Sequence, residues 1–480
     1  MGIKKNILYT SVLTTSNYIF PLIVYPYVSR VLEVANIGLC NYIDSIINYF
    51  ILFSMMGITI VGTRQIAMDK ANASRMDVTF SSLMALNGTT TLLAIIVLIL
   101  LTFIIPELYA NQEMMWFGAI KLISNFFLIE WFYKGIENFK FITVRTIVVK
   151  CFFVISVFLF VKVKSDYKIY YLLTALMLAG NAIINTAYST RFSRFRFSLI
   201  TFKPYIKAFF ILGIYFFLTS LFTTFNTLYL GSVTNDTQVG FYTTATKLYA
   251  ILLALYTGVT TVLMPRMSNL IAQNRLEEFK CLVKKSTSFL FTFSIPLIIV
   301  CSIFAPEIIL LISGPGYEGA ITPMRIIMPL MLIIGYEQIQ VVQCLMPLKK
   351  DKAVMTNAAV GALIGISLNI ILVPHLASVG SAVTWLVAEC SILVLSQIIL
   401  KIQFHFRFPY KMLFRNVLTN IPLLAILLIL YFNFNFMNYW QKLLSSTIIV
   451  VFYFLIIEVV FLKNPVIKSL IPNSKSTFRS

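Results

Sequence analysis

Acidic side chains are scarce: 18 Asp and Glu stand against 38 Lys and Arg in 480 residues, a formal charge of +20. Histidine is rarer, with only His375 and His405, which stand apart. Six cysteines (Cys40, Cys151, Cys281, Cys301, Cys344 and Cys390) are scattered through mostly apolar runs, with no CxxC or Cys/His cluster. That spacing argues against a disulfide framework or a metal centre, and no cofactor is expected. Long polar stretches are missing too. Only 12% of residues are charged and 59% are hydrophobic, against about a quarter and about half in soluble domains. A soluble globular enzyme is therefore excluded, and a polytopic membrane protein is implied. The basic excess reads as cytoplasmic loops collecting Lys and Arg, and no nucleic-acid partner is expected.

What is present is a succession of apolar runs of roughly 20 residues, the length that crosses a bilayer as a helix. About fourteen are found, near 7–31, 38–62, 79–105, 114–136, 141–162, 167–190, 206–230, 238–263, 286–313, 321–346, 353–374, 376–400, 413–433 and 441–462. The first is too long, and lacks a small-residue cleavage site, for a removable signal peptide. Pro21, Pro26, Pro323 and Pro329 are the positions expected to kink or break a span. Alternate connections hold about 29 of the 38 basic residues, which places both termini on the cytoplasmic side. The Lys162–Lys164–Lys168 cluster is the one loop out of place. Opposite loops are short, leaving no room for a folded extramembrane domain.

Two stretches repeat. "ANIGLCNYID" and "TQVGFYTTAT" each carry an Ile/Val-Gly pair (Ile37-Gly38, Val239-Gly240) ahead of a polar-studded span, at a shift of 202. The same shift superposes Arg64 on Arg266, and "IIPEL" matches "FAPEI" at a shift of 200. A duplication of six spans follows, with both copies in one orientation, as in transporters built from parallel repeats. The expected organisation is an all-α integral membrane fold of about 14 transmembrane helices, with two homologous six-helix lobes around a central cavity plus two extra C-terminal helices. Its segments are residues 1–205 (spans 1–6), 206–402 (spans 7–12) and 403–480 (spans 13–14 and a tail).

Ions inside spans mark function or pairing. Lys247 shares a small, polar helical face with Gly240, Thr243, Ala250 and Gly258, while Ala245, Leu248 and Leu252 lie opposite. Asn41, Asp44 and Asn48 share a face of span 2. Two readings stand: these faces line a wet cavity between the halves, or Lys247 and Asp44 form a buried pair that holds helices together. Arg30 either lines the cavity mouth or snorkels to the interface. Lys121 and Glu130 are nine residues apart, which on one helix puts them on opposite faces, so Glu130 is expected to pair with a neighbouring helix. Glu337 and Glu389 lie mid-span, as proton-accepting carboxylates or as structural hydrogen-bonding groups.

The stretches "YPYVSRVLEVANIGLCNYIDSI", "GITIVGTRQIA", "EWFYKGIENFKFITVRTIVVK", "VGFYTTATKL", "GPGYEGAITPMRII" and "LVPHLASVGSAVTWLVAE" together resemble bacterial Wzx-type polysaccharide-export flippases of the multidrug/oligosaccharidyl-lipid/polysaccharide exporter superfamily. Glu33 departs from the pattern, standing where that family usually has glycine. The resemblance implies a flippase of the bacterial cytoplasmic (inner) membrane, not an enzyme, that moves undecaprenyl-diphosphate-linked oligosaccharide units to the outer leaflet for O-antigen, capsule or exopolysaccharide assembly. On that reading Lys247 and Arg30 meet the diphosphate, and Asn41, Asn48, Asn226 and Thr243 meet sugar hydroxyls. Asp44, Glu337 or Glu389 would carry a coupling H+ or Na+, and polysaccharide polymerase machinery would be a partner. The alternatives are a multidrug exporter, which would favour buried carboxylates over a central lysine, or a peptidoglycan-precursor flippase. A membrane-embedded polymerase or glycosyltransferase would want a sizeable external loop, and none exists here.

Overall fold

A computed structural model describes residues 3–221, 224–348, 350–433 and 438–455. Among them every regular element is helical, and nine helices are long and apolar enough to cross a membrane. The chain forms two compact units, Met1–Thr243 and Thr244–Ser480.

The first unit opens with α1 (Ile3–Met55), 53 residues long. At 1.5 Å per residue such a helix would reach about 80 Å, far beyond a bilayer core of about 30 Å. It therefore has to turn back, and it does so at Glu33 (φ 64°, ψ 168°). Neither Pro21 nor Pro26 interrupts it; proline is tolerated in membrane helices when neighbouring groups satisfy the freed carbonyls. Next come α2 (Ile58–Asp69), α3 (Ala73–Ile104), α4 (Pro106–Ala110), α5 (Gln112–Phe127) and α6 (Glu130–Gly135). The unit continues through α7 (Phe139–Phe160), α8 (Tyr167–Ser189), α9 (Ile206–Ser220), α10 (Phe225–Val233) and the first turns of α11 (Asp236–Ala272).

The second unit holds the rest of α11, then α12 (Leu276–Ile303), α13 (Ala305–Ser313), α14 (Ile321–Ile327) and α15 (Leu330–Gln338). Of the remaining two suspect prolines, Pro329 does mark a break, between α14 and α15, whereas Pro323 sits within the first turn of α14. A π-helical stretch over Ile339–Leu345 follows. The 54-residue α16 (Asp351–Phe404) also has to fold back on itself, and does so at Ala377 (φ 47°, ψ −125°). The last described helices are α17 (Tyr410–Asn433) and α18 (Tyr439–Leu455).

The Pro-Glu repeat is structural in both copies. Ile105 interrupts the path from α3 to α4 just before Pro106-Glu107, and Phe304 does the same between α12 and α13 before Pro306-Glu307. Proline suits the first turn of a new helix because its missing N–H is unneeded there. The misplaced lysine loop is neutralised locally: Lys164 lies 4.0 Å from Glu33, and Lys168 pairs with Glu113. At another turn Lys70 binds Glu137 at 2.8 Å and holds its carboxyl below the usual carboxylate range.

Candidate functional site

In the first unit the two glycine motifs meet. A β-carbon on Gly38 would stand 2.8 Å from the Gly240 nitrogen and 2.6 Å from the Asp236 carbonyl carbon; one on Gly240 would stand 2.6 Å from Val34 Cγ2. The second limb of α1 and the start of α11 thus touch backbone to backbone, as small residues permit. One turn further on, Asn41 Nδ2 donates to Thr243 Oγ1 at 3.2 Å and to the Ile37 carbonyl at 2.6 Å. The positions that correspond at the 202-residue shift, 38 with 240 and 41 with 243, are in contact with each other.

Asp44 follows one turn later on α1, and its partner is Lys121 of α5, at 2.6 Å. Lys121 is buried and packs 3.8 Å from the Tyr171 ring centre, while the Tyr171 hydroxyl donates to Asp44 at 3.4 Å. An ammonium, a carboxylate and a phenol from three helices form one cluster. Asn48 and Arg30 are exposed, and Arg30 Nη1 donates to the Pro26 carbonyl at 2.9 Å. Asn226, on α10, is fully buried and donates to the Tyr242 hydroxyl at 3.2 Å; in this conformation it is a packing residue.

The expectation that Lys121 and Glu130 share one regular helix needs correction. Leu128 and Ile129 (φ 37°) separate α5 from α6, so the angular relation does not carry across. Asn185 donates its amide to the Leu128 carbonyl there, and Trp131, Phe132 and Tyr133 are buried around the break. Glu130 opens α6 and pairs with Arg145 of α7 at 3.3 Å and with Lys134 at 3.4 Å. The Lys121 pairing joins residues 77 positions apart. The only sequence signal for it is a lone cation and a lone anion on separate spans, which says that both need partners but not which.

In the second unit Lys247 lies on α11, half-buried, eleven residues after Asp236. That is about 17 Å along the helix. Ala245 and Leu248 on the opposite side are buried. Elsewhere in this unit Glu389 is buried on α16 and accepts from Trp385 Nε1, one turn earlier, at 3.0 Å. Glu337, on α15, is close enough to feel the Glu389 charge. The Tyr249 ring packs edge-on against Trp385 at 5.2 Å, and its hydroxyl donates to the Leu330 carbonyl at 3.4 Å. Two carboxyl groups share an aromatic surround. Arg64 and Arg266, the pair at equivalent repeat positions, are both exposed.

The comparisons agree with this architecture. The family model described as polysaccharide biosynthesis protein matches residues 3–271, and the MatE model matches 212–371. A putative O-antigen transporter of Escherichia coli (strain K12) is 26% identical over 396 residues, covering 81% of this chain and 94% of that one. Among solved structures, the lipid II flippase MurJ in an inward closed conformation superposes with a TM-score of 0.78 at 17% identity, over 96% of this chain and all of its own. An inward-facing multidrug resistance MATE family transporter of the MOP superfamily gives a TM-score of 0.64 at 10% identity, over 78% and 92% of the two chains. Such identities establish the fold alone. With more than half of its length matched by the family model, the chain belongs to the polysaccharide biosynthesis protein family and has the all-α membrane fold of the MOP superfamily.

Proposed function

We propose that the protein is a polysaccharide flippase that moves an oligosaccharide unit, carried on undecaprenyl diphosphate, from the cytoplasmic to the outer leaflet by alternating access. What supports this reading is Lys247, half-buried on α11 eleven residues after Asp236, on a sequence face of small and polar residues that we assign to mid-membrane depth. A diphosphate headgroup is anionic and cannot cross hydrocarbon unaided, whereas its polyprenyl chain remains at home in lipid. A lysine supplies three donors and a point charge suited to phosphate oxygens. Arg30 is the second cation of the proposed site. Asn41 and Asn48 are the amides offered to sugar hydroxyls, with Thr243 held beside Asn41.

Family membership and the O-antigen transporter relative support the substrate class. The shared fold with MATE transporters solved in inward-facing and outward-facing conformations supports alternating access. The lobes of that motion are assigned to residues 1–205 and 206–402, and both termini to the cytoplasm of a bacterial inner membrane. Coupling to H+ or Na+ is assigned to Glu337 and Glu389, whose mutual repulsion a bound cation relieves. Asp44, already paired with Lys121, is the weaker carrier. Lipid-linked sugar delivered this way would be taken up by polysaccharide polymerase machinery.

The test is transport in reconstituted vesicles together with surface polysaccharide in cells. Lys247→Ala should abolish both at normal membrane abundance, and Lys247→Arg should keep part of each. Normal transport by the alanine variant sinks the cation-site reading.

A further inference from the structure

At one end of the second unit, the opening of α12, the π-helical stretch, the end of α16 and the start of α17 enclose a cavity of about 460 Å³. Its outer wall is the linker between α16 and α17, and that linker is built rather than loose. His405 ends α16 in the left-handed conformation (φ 57°). The Phe406 N–H then donates back to the Leu400 carbonyl at 3.1 Å. The Phe406 carbonyl accepts from Gln397 Nε2 at 2.9 Å, and Gln397 Oε1 in turn accepts from Gln340 Nε2 at 2.8 Å and from the Tyr336 hydroxyl at 3.2 Å. The Phe406 ring packs edge-on against Phe279 at 5.9 Å.

Around that scaffold stand Lys280, Lys284, His405, Arg407 and Lys411, with no carboxylate in the lining. Lys280 is paired with Glu277 at 2.8 Å; among the described residues the other four have no carboxylate within ion-pair distance. Deeper in, Gln340 is 1% exposed and its Oε1 has no hydrogen-bond partner. A buried acceptor of this kind asks for a donor hydroxyl. Beside the cavity, and sharing Lys411 with it, runs an apolar groove along α17, formed by Tyr410, Leu413, Phe414 and Val417. Tyr410 is 72% exposed and Phe414 64%, faces that a lipid chain would cover.

We propose that this cavity and groove bind an anionic, hydroxyl-bearing membrane phospholipid of the phosphatidylglycerol type: phosphate against Lys284, Arg407 and Lys411, headgroup hydroxyl towards Gln340 Oε1, and acyl chain along Phe414 and Val417. Basic pockets between transmembrane helices are a recurrent way of holding such headgroups. A zwitterionic lipid would bring its own ammonium into a ring of cations and is disfavoured. The site lies on elements separate from Lys247 and does not depend on the proposed transport substrate.

The test is native mass spectrometry of the detergent-solubilised full chain titrated with phosphatidylglycerol or phosphatidylcholine. Wild type should retain phosphatidylglycerol at least fivefold better than phosphatidylcholine. The triple variant Lys284→Gln/Arg407→Gln/Lys411→Gln should lose that preference while keeping its helical circular dichroism and melting temperature. Phe414→Ser alone should weaken both lipids. Lys247→Ala should retain the wild-type preference, which separates failure of this site from failure of the transport reading. Undiminished preference in the triple variant overturns the proposal. So does displacement of the lipid by millimolar inorganic phosphate that itself binds stoichiometrically, which would assign the cavity to a soluble anion.

Discussion

Both units hold inward ion pairs, Lys442 with Glu307 at 3.9 Å in the second, but the second also sets the Glu337 and Glu389 carboxyl groups near each other. In the first, Lys121 meets Asp44 at 2.6 Å and Arg145 meets Glu130 at 3.3 Å, each cation buried and each anion partly exposed. In the second, Glu337 lies near Glu389, and Trp385 Nε1 donates to Glu389 at 3.0 Å. A satisfied pair resists change, because separating it strands an ion in a medium that solvates it poorly. Like charges held together do the reverse: they store repulsion that a proton or cation relieves. Pairs that hold shape are thus present in both units, and the Glu337–Glu389 neighbours, to which the coupling role is proposed, stand apart from them.

The largest expected effect breaks the first half of that contrast. Asp44→Ala strands the Lys121 ammonium and should lower stability by roughly 3–5 kcal/mol, nearer the low end because Asp44 is 41% exposed. Adding Lys121→Met should recover most of the loss in a thermal melt of the detergent-solubilised protein. A double variant no better than the single one would deny that the two act as a pair.

Next is the contact between the two glycine motifs. Gly38→Ala drives a methyl into the Asp236 backbone, and overpacking against backbone costs roughly 1–3 kcal/mol. Gly240→Ala should cost about as much, through Val34. Unequal losses would show that one helix yields and the other does not.

A smaller effect, of opposite sign, concerns the two bends. Both long helices fold back at a non-glycine residue of positive φ, Glu33 in one unit and Ala377 in the other. Relief of such strain contributes about 1 kcal/mol or more, so Glu33→Gly and Ala377→Gly should each raise the melting temperature. Glu33 also gives up its approach to Lys164 at 4.0 Å, an exposed contact of little value, so its gain should survive. Smallest of all is Glu389→Gln, which keeps an acceptor for Trp385 and removes one of two like charges. Stability should change by less than about 1 kcal/mol, whereas ion dependence of transport, measured with and without a Na+ or pH gradient, should collapse. Unchanged ion dependence would return Glu389 to a purely structural role.

Much of this was legible in the chain itself. Apolar runs of bilayer length announce the helices, and the Ile/Val-Gly and Pro-Glu pairs are the signals for the expected duplication, because each is a local property of consecutive residues. The bends were harder to read. Pro21 and Pro26 are the kink positions the sequence suggests, yet the turn falls at Glu33, the position at which the sequence departs from the pattern it resembles. A departure from a pattern of permissive residues was the better signal. The break at Leu128–Ile129 is not legible because "FFLIEWF" carries no turn residue; buried aromatic side chains and the Asn185 amide accompany it.

Membrane residence, helical class, repeat and basic asymmetry are therefore determined by the sequence alone, since the bilayer reads hydropathy and charge along a single segment. Partners are decided only in three dimensions. Asp44 with Lys121, Gly38 with Gly240 and the basic cavity beside α17 join residues from 77 to 202 positions apart or from four separate elements. Close packing, which acts over a few ångströms and ignores chain distance, selects them.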